Sequence, residues 1–235
     1  MRPPIYEPKG KAKEYGDLAL NIYTGCPHRC YYCFAPNVLH TEREKFHSNV
    51  QPRPGIVEEV RKQLEKEKIT GKLIHLCFTC DPYPTGVDSM ATREIIKLLK
   101  EYGNHVQILT KGSGFRDFDL LDNEDWYGVT ISGGNTQIVE PWSEPTSRRI
   151  LDIRTAQRRG IKTWVSFEPV INADMVLEIL NRWHDNFDKV KIGKLNYHPS
   201  EIDWKKFGHE AEDLCRKLGL HYYIKDSLRA EMEKT

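Results

Sequence analysis

Seven short apolar runs recur along this chain, separated by stretches with helical periodicity, and that alternation narrows the fold more than any other feature. The runs are LALNIY (18–23), KLIHLCFT (72–79), HVQILT (105–110), WYGVTIS (126–132), KTWVSF (162–167), KVKIG (189–193) and LHYYI (220–224). They read as near-continuously apolar rather than strictly alternating, the pattern of parallel strands covered on both faces. Between them, Val57, Val60 and Leu64 share one helical face after Pro54, with Glu58 and Lys62 at i,i+4 on another. Ser89 is a candidate N-cap for a helix that turns Ile95, Leu99 and Tyr102 inward, and Ser147 and Asn172 are candidate caps for two more. The last helix carries Trp204, Phe207, Ala211, Leu214 and Leu218 at 3.6 periodicity, and Gly219 stops it. Repeated βα units imply a parallel sheet with right-handed crossovers. Six or seven of them in roughly 210 residues fall short of a closed eight-fold barrel. The expected fold is therefore α/β: an open partial (β/α)6 TIM-like barrel with outer helices.

Residues 1–16 read as an N-terminal extension, 17–226 as the barrel and 227–235 as a C-terminal tail, one domain overall. No run approaches the roughly 18 consecutive apolar residues of a membrane helix. The opening MRPPIYEPKGKAKEYG has no apolar core of a secretory signal, so a cytoplasmic location is expected. With 35 basic and 34 acidic residues the net charge is +1, which supplies no overall field for a polyanion but leaves room for a local basic groove.

Three of the 6 cysteines fall within GCPHRCYYCF, at Cys26, Cys30 and Cys33. They follow the first predicted strand, where the strand ends of such folds carry their chemistry. A disulfide leaves one of the three over, and a reducing compartment disfavours it. Zinc remains possible, with His28, His40 or His47 as a fourth ligand. A four-iron cluster is normally held by four cysteines, and with three, one iron keeps an open position for a small molecule. Cys77 and Cys80 lie on a predicted strand, where positions i and i+3 point to opposite faces, and Cys215 reads as a small buried hydrophobe.

Cys26-x3-Cys30-x2-Cys33, with Tyr32 before the third cysteine and a partial βα barrel behind it, resembles the radical S-adenosylmethionine superfamily. GCPHRCYYCFAP, CFTCDPYP (77–84), ILTKG (108–112), the EP of IVEPWSEP (138–145), VSFEPV (165–170) and KLNYH (194–198) are similar to its spore photoproduct lyase-like (DNA repair photolyase-like) branch. The resemblance implies a [4Fe-4S] cluster on Cys26, Cys30 and Cys33. It also implies S-adenosylmethionine on the open iron, and reductive cleavage to a 5′-deoxyadenosyl radical that abstracts hydrogen from a substrate. A reductant such as flavodoxin or ferredoxin is the implied partner, and a nucleic acid, a nucleotide or another small metabolite the implied substrate.

The superfamily's Gly-Gly-Glu-like stretch after the second strand is replaced here by Thr79-Cys80-Asp81. Thr79 and Asp81 are then the candidates to accept from the methionine ammonium, while Asp81 alternatively starts a Pro-rich turn. Lys111 is a candidate partner for the methionine carboxylate. Ser132 and Gly133 are candidates at the ribose or carboxylate, and Tyr32 and Ser166 are further cofactor contacts. Glu168 is a ribose or catalytic residue, or else pairs structurally with a cation. Asn196, with Lys194 beside it at the same mouth, is a candidate for adenine or substrate. Cys80 is a catalytic candidate, a thiol able to return a hydrogen atom to a product radical. The alternative from another class is a non-catalytic zinc or structural iron–sulfur module.

Overall fold

The computed structural model describes residues 3–234; Met1 and Arg2 of the extension and Thr235 of the tail lie outside the described residues. Eight strands form one sheet in sequence order. β1 (Ile5–Tyr6) runs antiparallel to β2 (Leu18–Leu20). From β2 the sheet is parallel through β3 (Leu73–Leu76), β4 (His105–Thr110), β5 (Trp126–Thr130), β6 (Lys162–Phe167), β7 (Lys189–Ile192) and β8 (Tyr222–Ile224). Each of the seven apolar runs supplies one parallel strand, and the sheet is open, without pairing between β8 and β2. The long crossover helices are α3 (Ile56–Glu67), α4 (Met90–Glu101), α6 (Thr146–Arg158), α7 (Ala173–Trp183) and α8 (Trp204–Lys217). Three short helices, α1 (Ala35–Val38), α2 (Arg43–Ser48) and α5 (Thr136–Val139), lie in the loops, and α9 (Asp226–Met232) closes the chain. No helix among the described residues is long and apolar enough to cross a membrane.

The strands alternate more than the sequence reading expected. The helix-facing rows, such as Ile74 and Leu76, Val106 and Ile108, Val190 and Ile192, join one apolar cluster with the helices. The intervening residues turn to the concave side and include His75, Gln107, Trp164, Ser166 and Lys191, all buried yet outside that cluster. Gln107 Nε2 donates to His75 Nδ1 at 2.9 Å, and Trp164 Nε1 donates to Ile108 O at 2.9 Å. The polar members of each run are therefore not interruptions of a strand but its lumen side.

The N-terminal segment bridges the gap of the open barrel. Ile5 and Tyr6 pair with Leu20 and Ala19 at one edge. A 3-10 helix, Gly10–Tyr15, then carries Glu14 to the other edge, where its carboxylate accepts from Asp226 N–H (2.9 Å) and the Tyr223 hydroxyl (3.2 Å). Tyr15 enters the lumen: its hydroxyl donates to Glu168 Oε2 (2.6 Å), and the ammoniums of Lys225 and Lys191 stand 4.2 and 4.5 Å from its ring centroid. At the other terminus Leu228 and Met232 of α9 are buried, and a Cβ on Gly208 would meet Met232 Cγ at 2.4 Å.

Two of the expected caps differ in detail. Asn172 caps α7 by accepting from Met175 N–H at 2.9 Å. Ser147 does not cap α6, because Pro145 already occupies the N-cap position and Ser147 lies inside the first turn. Ser89 holds its N-cap position without a side-chain hydrogen bond.

His75 gives this lumen a pH signature. Burial, then the nearby Lys191, pulls its pKa from 6.5 to about 3. The unfolded chain takes up this proton near pH 6.5 and the folded one only far below. Stability from this group is complete above about pH 6.5 and falls by up to about 1.4 kcal/mol per pH unit below it. His75→Gln is expected to flatten that part of the stability–pH curve, measured by urea denaturation between pH 7 and 4.

Candidate active site

The cysteines sit in the irregular connection between β2 and α1, at the C-terminal ends of the parallel strands. Lacking a ladder of its own, this loop is held by borrowed partners. Cys26 N–H donates to Phe46 O (3.3 Å), Tyr31 N–H to Val139 O (3.1 Å) and Cys33 N–H to Cys30 O (3.0 Å). Gly25 is required by close approach, since a Cβ there would lie 2.1 Å from Phe46 O. Cys30 is buried, and Cys26 and Cys33 are half-buried.

Burial pushes the Cys30 thiol up to about 12, and it pushes Cys26, which also faces Asp81, and Cys33 upward too. Thiols so placed give up their protons readily only to a strongly cationic centre, and a metal deprotonates a coordinating thiol outright. A tetrahedral zinc with Zn–S near 2.3 Å draws its thiolates to roughly 3.8 Å from one another. Among the described residues, only His105, Asp122 and Asp125 bring three such donor atoms within 4.8 Å, and there the Lys100 ammonium lies 2.7 and 2.5 Å from the two carboxylates. Cys26, Cys30 and Cys33 are not drawn together in that way.

The histidines weighed as a fourth ligand are disposed differently. His28 Nε2 accepts from Thr85 N–H (3.1 Å), which leaves its proton on Nδ1, 3.5 Å from Asp81 Oδ2. Burial lowers its pKa to about 4, so it is neutral and structurally engaged. His47 shares its Nδ1 proton with Cys26 O (2.7 Å), and its Nε2 is buried without a partner. His40 is exposed.

Asp81, buried after β3, serves as a staple. It accepts from the Thr110 hydroxyl (2.5 Å) and Tyr83 N–H (2.9 Å) on one oxygen and from Lys111 N–H (2.8 Å) on the other. Its lone pairs are largely used within the protein, the turn-forming arrangement rather than a free acceptor. Thr79 N–H and Phe78 N–H both donate to Asn21 Oδ1, at 2.9 and 2.7 Å. β3 ends at Leu76, so the expectation that Cys77 and Cys80 point to opposite faces of a strand does not hold. Their side chains meet, and Cys80 Sγ accepts from Tyr23 N–H at 3.4 Å.

Lys111 follows β4 with its Nζ 5.7 Å from the centroid of the Tyr32 ring. Desolvation opposes its charge, but Cys30, Glu140 and Asp81 outweigh it and raise the pKa. No carboxylate lies within ion-pair distance of it among the described residues. Ser132 Oγ, beyond β5, is buried without a hydrogen-bond partner, and neighbouring Gly133 has φ +74°, with room for no Cβ against Asn172 O at 2.5 Å. An orphaned hydroxyl and a cation free of carboxylate partners among the described residues fit a zwitterionic, ribose-bearing ligand, while Gly133 is needed for the close approach of α7.

Ser166 and Glu168 lie deeper. Ser166 Oγ is 3.2 Å from the Tyr15 hydroxyl, and Glu168 Oε2 is 2.5 Å from Lys225 Nζ. Asn196 Oδ1 accepts from Lys11 Nζ (2.8 Å). Lys194 does not join Asn196 at the mouth; it pairs with Glu231 of α9.

Two residues that organise the site had no role assigned from the sequence, although Glu140 stands in a stretch that carried the resemblance. Glu140, inside IVEPWSEP, and Arg149 of α6 are both 0% exposed and form an ion pair. Glu140 also accepts from the Tyr32 hydroxyl, while Arg149 donates to Thr130 O and Glu144 O (both 2.8 Å). An arginine after Arg148 in a polar helix reads as solvent-facing until the loop folds over it.

With this geometry in view, comparison with known proteins is direct. Residues 20–181 match the family model of the Radical SAM superfamily, and the chain belongs to that superfamily. It is 27% identical over 207 residues to the uncharacterized protein ORF301 of Acidianus two-tailed virus (76% of this chain, 67% of that one). It is 31% identical over 179 residues to the uncharacterized protein MJ0683 of Methanocaldococcus jannaschii (72% and 65%). The chain thus spans about two thirds of the length of these relatives. In fold it is similar to spore photoproduct lyase complexed with dinucleoside spore photoproduct (TM-score 0.69, 13% identity, 93% of this chain and 79% of that one). It is also similar to SuiB of Streptococcus suis bound to S-adenosylmethionine (TM-score 0.65, 11% identity, 92% and 52%).

The buried ion pair yields a prediction. Arg149→Met leaves Glu140 charged and uncompensated and is expected to lower stability by about 3–5 kcal/mol in urea denaturation. Adding Glu140→Gln to that variant is expected to restore much of the loss.

Proposed function

We propose that the chain is a radical S-adenosylmethionine enzyme whose Cys26, Cys30 and Cys33 hold a [4Fe-4S] cluster with one iron open to S-adenosylmethionine. The observation that carries this is the Cys26, Cys30 and Cys33 loop at the strand ends, pinned by backbone hydrogen bonds in a chain that matches the Radical SAM family model. When bound, the pair of cofactors supplies reductive cleavage of a carbon–sulfur bond and hydrogen-atom abstraction from substrate.

The protein's own residues bind and orient. Lys111 offers its ammonium to the methionine carboxylate, with Tyr32 fixing the wall behind it. Ser132 offers its unpartnered hydroxyl to the ribose or carboxylate, and Gly133 lets this turn pack against the start of α7. Asp81 holds Lys111 and His28 in place rather than meeting the methionine ammonium by itself, which leaves Thr79 the freer acceptor. Ser166 and Glu168, joined through Tyr15, form the inner wall of the active site. Asn196 and Lys11 mark its outer rim. Cys80 accepts Tyr23 N–H at its sulfur and keeps its own S–H to serve as hydrogen-atom donor.

Likeness to the fold of a lyase seen with a dinucleoside photoproduct supports a nucleic acid or nucleotide as substrate class. A SuiB structure with its precursor peptide SuiA keeps a peptide as the second reading. A low-potential carrier such as flavodoxin or ferredoxin is the proposed reductant, and the cytoplasm the proposed location. The competing reading is a non-catalytic zinc or structural iron–sulfur module; His28, one candidate fourth ligand for zinc, already accepts from Thr85 N–H and faces Asp81.

The test is anaerobic reconstitution with iron and sulfide, reduction, and addition of S-adenosylmethionine. Wild type is expected to show a paramagnetic cluster signal that S-adenosylmethionine perturbs, and to form 5′-deoxyadenosine. Cys30→Ala is expected to lose both. Bound zinc, or a cluster signal indifferent to S-adenosylmethionine, would overturn the proposal.

A further inference from the structure

Of the six residues of α2, the sequence singled out only His47, as a candidate zinc ligand, yet one whole side of this helix is committed to the cysteine loop. Arg43 donates from Nη2 to Cys30 O and to Tyr31 O (3.0 Å), and from Nη1 to Cys33 O (3.2 Å). Glu44 takes a two-point grip on Arg29 (2.7 and 2.5 Å). Phe46 O receives Cys26 N–H, and His47 Nδ1 meets Cys26 O. Positions 43, 44, 46 and 47 lie on neighbouring turns, so four side chains or carbonyls of one helix grip every part of the loop that carries a cysteine.

Arg43 is the centre of this arrangement. The guanidinium's rigid fork of donors matches several fixed carbonyls at once, which an ammonium on a flexible stem does not. No carboxylate pairs with Arg43 among the described residues, so its charge is directed at the loop alone. Its guanidinium sits against the carbonyls of Cys30 and Cys33 themselves, next to the thiols these residues carry.

From this we infer that Arg43 is a positioning residue for the cluster loop. It clamps the carbonyls of Cys30, Tyr31 and Cys33 so that the thiols are presented in a fixed array, and it places one unpaired positive charge beside whatever anionic centre the thiols hold. The clamp belongs to the polypeptide and operates in the metal-free protein. The charge effect rests on the proposed cluster.

Two readouts separate these parts. In the metal-free full chain, hydrogen exchange at the Tyr31 and Cys33 amides is expected to rise at least about tenfold in Arg43→Ala, since charge-assisted hydrogen bonds to the loop are lost. Arg43→Lys, a gentler change, is expected to lose part of this protection. Lys45→Ala on the exposed side of the same helix is expected to leave it unchanged. In reconstituted protein, Arg43→Ala is expected to move the cluster's midpoint potential to more negative values, because a reduced cluster carries more negative charge. Arg43→Lys is expected to keep most of the wild-type potential. Unchanged exchange in both Arg43 variants would overturn the clamp, whether or not a cluster assembles. An unchanged potential in Arg43→Ala would overturn the charge role and leave the proposed function untouched.

Discussion

The Glu140–Arg149 ion pair is the interaction on which the site most depends. Both groups are fully withdrawn from water, where an unpaired charge is strongly unfavourable and a pair is tolerated only when its remaining hydrogen-bond capacity is filled. Here it is filled by structure that matters. Arg149 binds the carbonyl of Thr130 at the end of β5 and that of Glu144 in the following loop, while Glu140 receives the hydroxyl of Tyr32. The pair therefore ties a strand end, a long βα loop and the segment between Cys30 and Cys33 into one body. Asp81 performs the same office from the other side, joining the ends of β3 and β4 to His28. A loop without regular hydrogen bonding becomes rigid because two buried carboxylates, approached from different strands, leave it no alternative partners.

An open barrel poses a second problem, because its lumen is exposed along one side. The N-terminal segment answers it by pairing with β2 at one edge and capping β8 through Glu14 at the other. Tyr15 then fills the interior, and its ring accommodates the charges of Lys191 and Lys225 in a region where water is scarce. Glu168 is compensated by Lys225 and Tyr15 together, which explains how a carboxylate at the end of an apolar strand is retained. The closure of the barrel and the inner wall of the proposed site are thus one set of contacts.

This division explains what was legible in the sequence. The seven parallel strands were visible as apolar runs, and the cysteine loop was visible by spacing and by its place after the first of them. The lumen was hidden, because residues such as His75, Gln107 and Lys191 look like imperfections of a run until the sheet curls around them. β1 was hidden because two residues carry no periodicity; it exists through its register with Leu20 and Ala19. Asp81 was visible as a candidate but not as a staple, since its partners Thr110 and His28 are distant in sequence. Arg149 and Arg43 were hidden for a common reason: an arginine on a polar helix surface reads as solvated, and only tertiary contacts reveal that its donors are turned to backbone carbonyls.

The charges around the cysteines follow a rule that composition conceals. Every buried carboxylate near the loop is satisfied within the protein, Glu140 by Arg149 and Asp81 by a hydroxyl and two amides. Two cations near the loop are not so neutralised: among the described residues no carboxylate pairs with Lys111 on one side or with Arg43 on the other. Three thiolates would bring three negative charges to the same place, so the fold supplies positive charge that its own anions do not consume. A chain whose total charge is +1 thereby keeps a locally cationic setting for its thiols. That is why the near-neutral composition carried so little information about the site. The balance is struck over the whole surface, whereas the chemistry depends on which few charges are left without a partner inside the mouth of the barrel.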